Sequence, residues 1–416
     1  MAQNLTFRDP RFTQALVSIK GFDIGGTMDS IPQLTIKEIV LGESLLTPGL
    51  QTSVTIQSAL YTGGYKNFDA WKNQNVSFTL EREGGANMTV NQKVYRMDNR
   101  KFSNTNVGAI EEFTIHACDE SLLTDAKQLV SKSWKCTQAA TVVEYVLRSC
   151  AGWQPSYPFD KDMDDRGRDY IAENIHPFQV IAQQANMALK GGNPDYVHFM
   201  TYGWFGGGSW PTHHFRSLSS LCQGNPVRTY SYGDTGSSFD PDGAIVDGGV
   251  GNPNVIISME FPCDYDMLSD LLNGIDEQGV DRNTISVVNT KLGDFNSSAQ
   301  SSGCGIGQFN YKIAVSNQKD KNSCNLDVEA YVLRRQARMA LLERDKIALR
   351  LVVPWDGGLH AGMLIRVNWT NKYEESTGVY GQGTYLISSL THNIRHGGYS
   401  TTTMDCVTST VGQGMT

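Results

Sequence analysis

Apolar residues recur at every second position in several stretches near the start of the chain. These stretches are residues 34–40, 53–61, 76–80 and 113–117. A period of two is typical of strands that bury one face. We therefore predict a first small antiparallel sheet or barrel over residues 1–118.

The same period of two returns near the end of the chain. It covers residues 347–353, 363–369, 386–394 and 400–407, with a tight Gly-Gly turn at 396–398. Two further strands are predicted at 255–261 and 284–288. We assign a second β-barrel domain to residues 255–290 together with 343–410.

Residues 119–200 change to a helical period. A stripe from Ala139 to Cys150 follows 3.6-residue spacing, with Thr137 as a possible cap and Gly152 as the stop. Pro177 opens a second predicted helix, which ends at the Gly191-Gly192 pair. A short strand follows at 196–201. This part is a helical insert domain.

Two segments have little periodicity. Residues 201–254 are rich in glycine, begin with the motif WFGGGSW, and are predicted to form a peripheral or interface loop. Residues 291–342 are predicted to be an inserted loop followed by a helix at 327–342, and another helix is predicted around 267–272. The predicted fold class is α+β and β-dominated, with two small antiparallel β-barrels, a helical insert and long loops.

Composition narrows the possible partners. The chain has 416 residues, 35 Lys+Arg against 43 Asp+Glu, and a formal charge of −8. Tight binding of nucleic acid needs clustered Lys and Arg, which this sequence lacks, so DNA is expected to pass without being held. No stretch approaches a membrane span, and the first residues lack the pattern of a signal peptide. We expect a soluble protein with no membrane anchor.

The eight cysteines are widely spaced and form no C-x-x-C pair. Zinc sites and redox pairs need close spacing. We expect mainly reduced structural thiols, and a Cys304–Cys324 bridge is the one pairing left open.

The histidines do not form a recognisable metal motif. His392 and His396 are four residues apart but flank a strand end and a Gly-Gly turn, so their rings need not converge. His213 and His214 are adjacent and would point to opposite faces of a strand. Loop polarity is the favoured interpretation of this pair. No metal and no cofactor is predicted.

The acidic cluster between residues 160 and 173 is the strongest candidate for chemistry. Asp160, Asp162, Asp164 and Asp165 resemble a calcium loop, but position six is not glycine and position twelve is Ile171. A solvated acidic loop is favoured over a calcium site. A carboxylate pair for glycoside hydrolysis, including Glu173, remains open because sequence does not give the required separation. Nucleophile elbows and phosphate-binding loops do not match either. No catalytic, cofactor-binding or metal residue is therefore assigned, and the protein is predicted not to be an enzyme.

Four local phrases in order resemble one family, the central hub proteins of contractile-tail phage baseplates and the related hub part of type VI secretion spikes. The phrases are GESLLTPG at 42–49, NIHPFQVI at 174–181, VHFMTY with HFRSLSSL at 197–221, and LTHNI with GGYSTTTM at 390–404. They follow the order of that family over most of the chain.

The resemblance implies a homotrimer in which each chain contributes two β-barrels to a six-barrel ring. Such a ring joins the sixfold tail tube to the threefold central spike, and DNA passes through its lumen. Implied partners are tail-tube or tube-initiator proteins, baseplate wedge proteins and a separate spike protein, since no spike domain follows residue 416. The implied location is the tail baseplate of the virion, after assembly in the bacterial host cytoplasm.

Two expectations accompany the ring. The lumen would be acidic or neutral, with Asp and Glu on strand positions facing the interior supplying the field. The strand edges near 52–58 and 401–406 would pair across subunits. Two alternatives remain. One is a peptidoglycan or polysaccharide hydrolase, with Trp204, Trp210 and Tyr230 stacking on sugars; the other is a receptor-binding protein at the tail tip.

Overall fold

The computed structural model describes most of both chain ends and the middle. The described residues are 14–19, 22–26, 34–59, 71–81, 88–105, 108–164, 167–190, 195–203, 211–233, 238–239, 245–246, 256–262, 283–289, 294–298, 310–316, 349–370, 382–395 and 400–408.

The first β unit consists of seven antiparallel strands. They are β1 (Gln14–Ile19), β2 (Phe22–Gly26), β3 (Leu34–Ser44), β4 (Gln51–Ala59), β5 (Asn75–Glu81), β6 (Met88–Thr105) and β7 (Gly108–Cys118). Their order in the sheet is β3-β4-β7-β6-β5-β1-β2. The predicted inward residues of β5, Val76, Phe78 and Leu80, are buried. The period of two therefore predicted β3, β4, β5 and β7 correctly, whereas β1, β2 and β6 were not predicted.

One strand of this unit departs from the simple alternation. The register of β3 against β4 shifts between Ile36 and Glu38. Because a β-bulge moves the following side chains to the other face, Ile39 and Leu41 become the buried residues. Val40, predicted to share the face of Ile36, is only half-buried.

The middle unit follows β7. Its elements are α1 (Glu120–Asp125), β8 (Val130–Thr137), α2 (Ala139–Ser149), β9 (Phe159–Lys161), β10 (Arg168–Ile175), α3 (Pro177–Met187), β11 (Tyr196–Thr201), β12 (Thr212–Ser217) and α4 (Leu218–Leu221). Strands β8 and β10 form an antiparallel pair, and β12 lies between β11 and β9. Both predicted helices and the strand at 196–201 are confirmed, but α3 ends at Met187 and not at the predicted Gly191-Gly192 pair. This unit also contains strands that the irregular pattern at 154–170 did not predict.

The predicted cap of α2 is wrong. The N-cap residue is Gln138 rather than Thr137, and its side chain makes no capping hydrogen bond. Asp164 supplies the cap from a distance, since its Oδ1 accepts from Ala139 N at 2.9 Å. Gly152 has φ of 71° and ends the turn after the helix, as predicted.

Residues 201–254 are more structured than predicted. They contain β12, α4, β13 (Arg228–Gly233), β14 (Ser238–Phe239) and β15 (Ile245–Val246). The motif WFGGGSW lies outside the described residues. Since β12 belongs to the middle unit, the prediction of one peripheral loop is wrong.

The second β unit is formed by strands close to the end of the chain. They are β16 (Ser258–Glu260), β20 (Leu349–Pro354), β21 (Leu364–Thr370), β22 (Gly383–Arg395) and β23 (Thr401–Val407). Strand β13 pairs in parallel with β21. Strand β13 of the 201–254 segment therefore also belongs to the second β unit.

The strand predicted at 284–288 exists but pairs elsewhere. It is β17 (Asn283–Asn289), which lies between β18 (Asp294–Ser298) and β19 (Asn310–Ser316) in a separate sheet. The interval 291–325 was predicted to be irregular, and these two strands correct that prediction. The helices predicted at 267–272 and 327–342 and the turn at 396–398 lie outside the described residues.

The two β units share one sheet. Strand β22 pairs antiparallel with β3, so the path runs β16-β20-β23-β22-β3-β4-β7-β6-β5-β1-β2. Both β4 and β23 have neighbours on each side, so the predicted intersubunit edges at 52–58 and 401–406 are wrong. In the described part of the chain this path is open at β2 and β16. Closure into two barrels stays a prediction.

The thiols only partly follow expectation. Cys118, Cys150, Cys222 and Cys406 are free, whereas Cys136 is disulfide-bonded. Cys304 and Cys324 lie outside the described residues. Among the helices that the structure describes, none has the length and apolarity to cross a membrane.

Candidate functional site

Buried polar residues lie where the two β units and the middle unit meet. Glu43, on the inner face of β3, accepts hydrogen bonds from Tyr202 N at 2.7 Å and Ala361 N at 2.8 Å. His360 Nδ1 lies 2.9 Å from Glu43 Oε1. Tyr202 directly follows β11, and residues 360–361 lie between β20 and β21. One carboxylate thus connects all three parts of the chain.

The environment of Glu43 favours its ionised form. Burial acts to raise its pKa, but the charge of His360, the hydrogen bond to that ring and the two amide donors outweigh burial. The pKa of Glu43 is therefore lowered below its ordinary value. A carboxylate held in this way acts as a fixed anchor.

A second connection passes through Tyr202. Its hydroxyl lies 3.0 Å from Thr52 Oγ1 and donates to Gln51 O at 2.9 Å, both on β4. Burial raises the pKa of the Tyr202 hydroxyl, so it stays protonated and remains a donor. The end of β11 is therefore bonded to β3 and to β4.

Asp119 makes a third connection at the end of β7. It is the N-cap of α1 and accepts from Leu122 N at 3.1 Å and from the Ser121 hydroxyl. Its other oxygen accepts from Leu50 N at 3.0 Å. Because Leu50 immediately precedes β4, Asp119 connects the first helix of the middle unit to the first β unit.

The adjacent histidines of β12 are both buried, which contradicts their interpretation as loop residues. His213 points toward the helices, 4.3 Å from the Trp153 ring, and His198 Nε2 lies 3.0 Å from His213 Nδ1. His214 points the other way and stacks 4.6 Å from Phe199. The prediction that the pair points to opposite faces is correct.

Burial keeps these imidazoles neutral. It lowers the pKa of His198 to about 3 and the pKa of His213 well below the ordinary value. Burial also lowers the pKa of His214, although Asp160 Oδ2 lies 2.9 Å from its Nδ1 and acts in the opposite direction. Neutral rings are the forms that this interior accommodates.

The acidic cluster does not converge on one centre. Asp160 accepts from Arg216 at 3.0 Å as well as contacting His214. Asp162 pairs with Lys190 at 2.8 Å. Asp164 caps α2 and lies 3.8 Å from Arg168. Asp160 and Asp162 share Arg216 as an ion-pair partner, whereas Asp164 pairs with other groups, so the three described carboxylates all serve structural contacts.

Other candidate residues are separated from this cluster. Glu173 is exposed on β10, and Asp165 lies outside the described residues. Tyr230 is buried and cannot stack on a sugar, while Trp204 and Trp210 are also undescribed. Within the described ranges, no cluster of three or more metal-ligating side chains occurs. The geometry thus gives the hydrolase alternative no support.

His392 lies on the inner face of β22. Its Nδ1 is 2.9 Å from Thr402 Oγ1, and the Trp355 ring is 6.2 Å away. Burial lowers the pKa of His392 to about 4. His396 is not described. The ring of His392 therefore lies in the core where β22 of the second β unit pairs with β3 of the first.

Sequence reasoning missed Glu43 and His360. A signal was available for Glu43, because it follows Ile39 and Leu41 at the spacing of inward residues. A carboxylate at a core position needs a partner. His360 had no comparable signal, since its partner is 317 residues away.

The opposite surface of the shared sheet is polar. We call it the polar face, and its residues are Arg96, Asp98, Lys101, Glu112, Thr114, His116, Ser53, Thr55, Gln57, Glu38, Val40, Ser389, Thr391, Asn393, Arg395, Thr401, Thr403, Asp405, Arg350 and Val352. Hydroxyl and amide side chains predominate. This surface extends without a break from the first β unit to the second.

Charges on the polar face are paired within the sheet. Arg350 Nε lies 2.7 Å from Asp405, and Arg395 Nε lies 2.9 Å from Glu38. Lys37, at the bulge of β3, reaches Glu112 at 2.6 Å. These contacts join neighbouring strands across the sheet. The polar face therefore carries carboxylates without presenting them as unpaired charges.

Comparisons with known proteins identify the fold. No family model and no curated protein sequence matches the chain. A tail protein from Neisseria meningitidis is similar in structure with a TM-score of 0.55 and 10% identity, covering 96% of this chain and 97% of that one. A 43 kDa tail protein of prophage MuSo2 from Shewanella oneidensis gives 0.52 and 10%, covering 95% and 98%.

A third similar structure belongs to a secretion machine. It is an Escherichia coli component of the type VI secretion system, itself structurally similar to the bacteriophage T4 tail proteins gp27 and gp5. The TM-score is 0.50 at 9% identity, covering 96% of this chain and 78% of that one. The resemblance to tail and spike-related proteins is thus confirmed as a similarity of fold over nearly the whole chain, whereas the closure of the two β units into barrels stays a prediction.

Proposed function

We propose that this chain is a structural protein of a phage tail and forms the central hub of a contractile-tail baseplate. The supporting observation is the shared sheet, which joins the two terminal β units in a fold common to tail proteins. A protein with this role needs rigid β units and intersubunit contacts rather than a catalytic site. We infer a non-enzymatic role.

The proposed assembly is a homotrimeric ring. Two β units per chain place six units around a channel, which matches a sixfold tail tube on one side and a threefold spike on the other. The end of the main path at β16 is the edge that we propose to pair between subunits, since closed rings remove exposed edges. Such an obligate interface is expected to bury about 2,000 Å² or more.

The proposed partners follow from this position. Tail-tube or tube-initiator proteins would bind one side, a separate central spike protein the other, and wedge proteins the periphery. The particle would assemble in the bacterial host cytoplasm and act in the virion. DNA would only pass through the lumen.

The polar face is the surface that we propose to line this channel. Its carboxylates are paired with Arg or Lys, which supports a nearly neutral, hydroxyl-rich wall, the neutral case of the acidic or neutral lumen that we expect. A wall without excess cations would not release counterions from DNA, and so would not retain it. Passage without adhesion is consistent with this chemistry.

Imaging of the purified full chain tests the proposal. Negative-stain electron microscopy should show a threefold ring with a central hole, and light scattering should give the trimer mass. Lysines at the exposed residues Ser258 and Glu260 on β16 should weaken the trimer, because edge lysines oppose strand addition. Thr391→Lys is the matched control, since Thr391 is exposed on β22, a strand with neighbours on both sides. A wild-type monomer would refute the ring, and an unchanged trimer of the β16 variant would refute this edge.

A further inference from the structure

A directional chain of buried hydrogen bonds crosses the middle unit. Ser121 Oγ donates to Asp119 and lies 3.2 Å from His213 Nε2. His213 Nδ1 in turn lies 3.0 Å from His198 Nε2. The series of hydrogen bonds therefore runs Asp119, Ser121, His213, His198, and it extends from the end of the first β unit to β11.

The position of each proton follows from the donors available. A serine hydroxyl has one proton, and Ser121 gives it to the Asp119 carboxylate. His213 Nε2 must therefore carry a proton and donate it to Ser121 Oγ. Its Nδ1 is then the acceptor for the Nε2 proton of His198. Both nitrogens of His213 are in use when the ring is neutral.

Protonation of both His198 and His213 does not fit this arrangement. His213 Nδ1 and His198 Nε2 would then each carry a proton, and the two protons would face each other at a separation of 3.0 Å between the nitrogens. The hydrogen bond would be lost, and the charge would lie in an interior where His213 has no exposed surface. Protonation therefore requires β11 and β12 to separate or to move away from α1 and α3.

We propose that this series of hydrogen bonds makes the middle unit responsive to acid. Proton uptake by His198 and His213 opens β11 and β12 and weakens the contacts between the middle unit and the first β unit. Opening would release the bonds of Tyr202 to β4 and to Glu43, which are two of the connections between these units. The device does not depend on the proposed ring.

The surrounding groups determine the direction of the response. From the helix side the His198–His213 pair faces the rings of Phe178 and Trp153. The charged and titratable groups that surround the chain on the other elements are Cys118, Asp119, Tyr202, His214, Glu43, His360 and Asp160. Of these groups, the Asp160 carboxylate contacts His214. The His198–His213 pair is connected to the Asp119 carboxylate only through Ser121.

Two opposing effects set the size of the response. Consider an imidazole that stays neutral in the closed state of β11 and β12 and has an ordinary pKa of about 6.5 in the open state. Lowering the pH from 7.5 to 5.5 then shifts the equilibrium toward the open state about 10-fold. Two such imidazoles give about 100-fold. Burial raises the pKa of Asp119, so the closed state takes up a proton there more readily, which offsets part of the effect. We expect a net increase of about 10- to 100-fold.

Hydrogen exchange with mass spectrometry on the full chain tests this acid response. Opening of peptides that cover β11 and β12 is compared at pH 7.5 and 5.5 after correction for intrinsic exchange, with β5, which contains no histidine, as the internal reference. His198→Gln should reduce the response about 10-fold. His176→Gln, at the half-buried N-cap of α3, is the matched control and should retain it.

Each outcome decides the proposal. Exchange in β11 and β12 that rises no more than in β5 would overturn it, as would a full response in His198→Gln. If His198→Gln is already open at pH 7.5, His198→Phe, which keeps ring packing against Phe178, replaces it. The wild-type comparison stands without either variant.

Discussion

Glu43 and His360 lie 2.9 Å apart in the interior, although 317 residues separate them in sequence. Glu43 belongs to β3 of the first β unit, whereas His360 lies in the segment between β20 and β21 of the second β unit. Their contact lies directly under the β3–β22 pairing that makes the two units one sheet. The backbone pairing of β3 with β22 and the buried Glu43 carboxylate therefore stabilise the same contact between the two β units.

Replacing Glu43 by Gln should destabilise the protein by about 2–4 kcal/mol, because two amide N–H groups and His360 face this side chain and a carboxamide places donors against donors. The urea-unfolding midpoint measures the change. Glu38→Gln is the matched control on the same strand. Glu38 pairs with Arg395 at the surface, where an ion pair contributes at most about 1 kcal/mol. Equal losses in the two variants would contradict the anchoring role of Glu43.

Two phenylalanines on paired strands should differ strongly in their contribution to stability. Phe113 on β7 is fully buried against Trp71, whereas Phe102 on β6 is 58% exposed. Phe113→Ala should cost about 3–5 kcal/mol through lost burial and the remaining cavity. Phe102→Ala should stay within about 0.5 kcal/mol. Denaturant titration of both variants compares them, and a large loss at Phe102 would mean that this strand has a partner in solution.

The sequence predicted the strands whose inner residues are apolar and whose alternation is unbroken. Val76, Phe78 and Leu80 illustrate this, since each residue alone indicates its face. Alternation failed at the bulge of β3, where one extra residue moves Val40 outward. Pattern arguments contain no information on bulges, because the extra residue is selected by the neighbouring strand.

The polar core was beyond sequence reasoning for a different reason. His213 and His214 look like loop residues because burial of an imidazole is acceptable only when a distant group completes its hydrogen bonds. Those groups, Ser121 and Asp160, are 92 and 54 residues away. Nothing in the local pattern connects them. The aspartates near 160 were recognised as unusual, but their individual structural partners became visible only in three dimensions.

The proposed channel wall gives a direct test with DNA. Wild-type protein should not retain duplex DNA at about 50 mM salt, because the polar face has no surplus of cations. The double variant Thr55→Lys with Thr391→Lys adds two charges to that face and should bind duplex in a salt-dependent manner. Lysine at the exposed residues Ser131 and Ser133 of β8, which also adds two charges, is the control. In trimers, only the polar-face variant should slow the passage of DNA; equal retention by both variants would show that charge alone, not location, matters.

Stability should fall with acid because of His392. Burial lowers the pKa of this ring to about 4, whereas the unfolded chain has an ordinary value near 6.5. The unfolded state therefore takes up a proton first, and the stability present above pH 6.5 is lost as the pH falls toward 4. Between pH 8 and 5 this single group should cost about 2 kcal/mol.

Urea unfolding of His392→Gln at both pH values checks the assignment. The amide can still bond to Thr402 but does not titrate, so the variant should lose about 2 kcal/mol less than wild type between pH 8 and 5. Thr391→Gln, at an exposed residue of the same strand that does not titrate, should lose as much as wild type. The pKa of Glu43 lies below its ordinary value of 4.5, so its contribution disappears only under more acidic conditions. If His392→Gln has the full wild-type pH dependence, the acid sensitivity arises elsewhere, and the imidazoles of β11 and β12 become its main source.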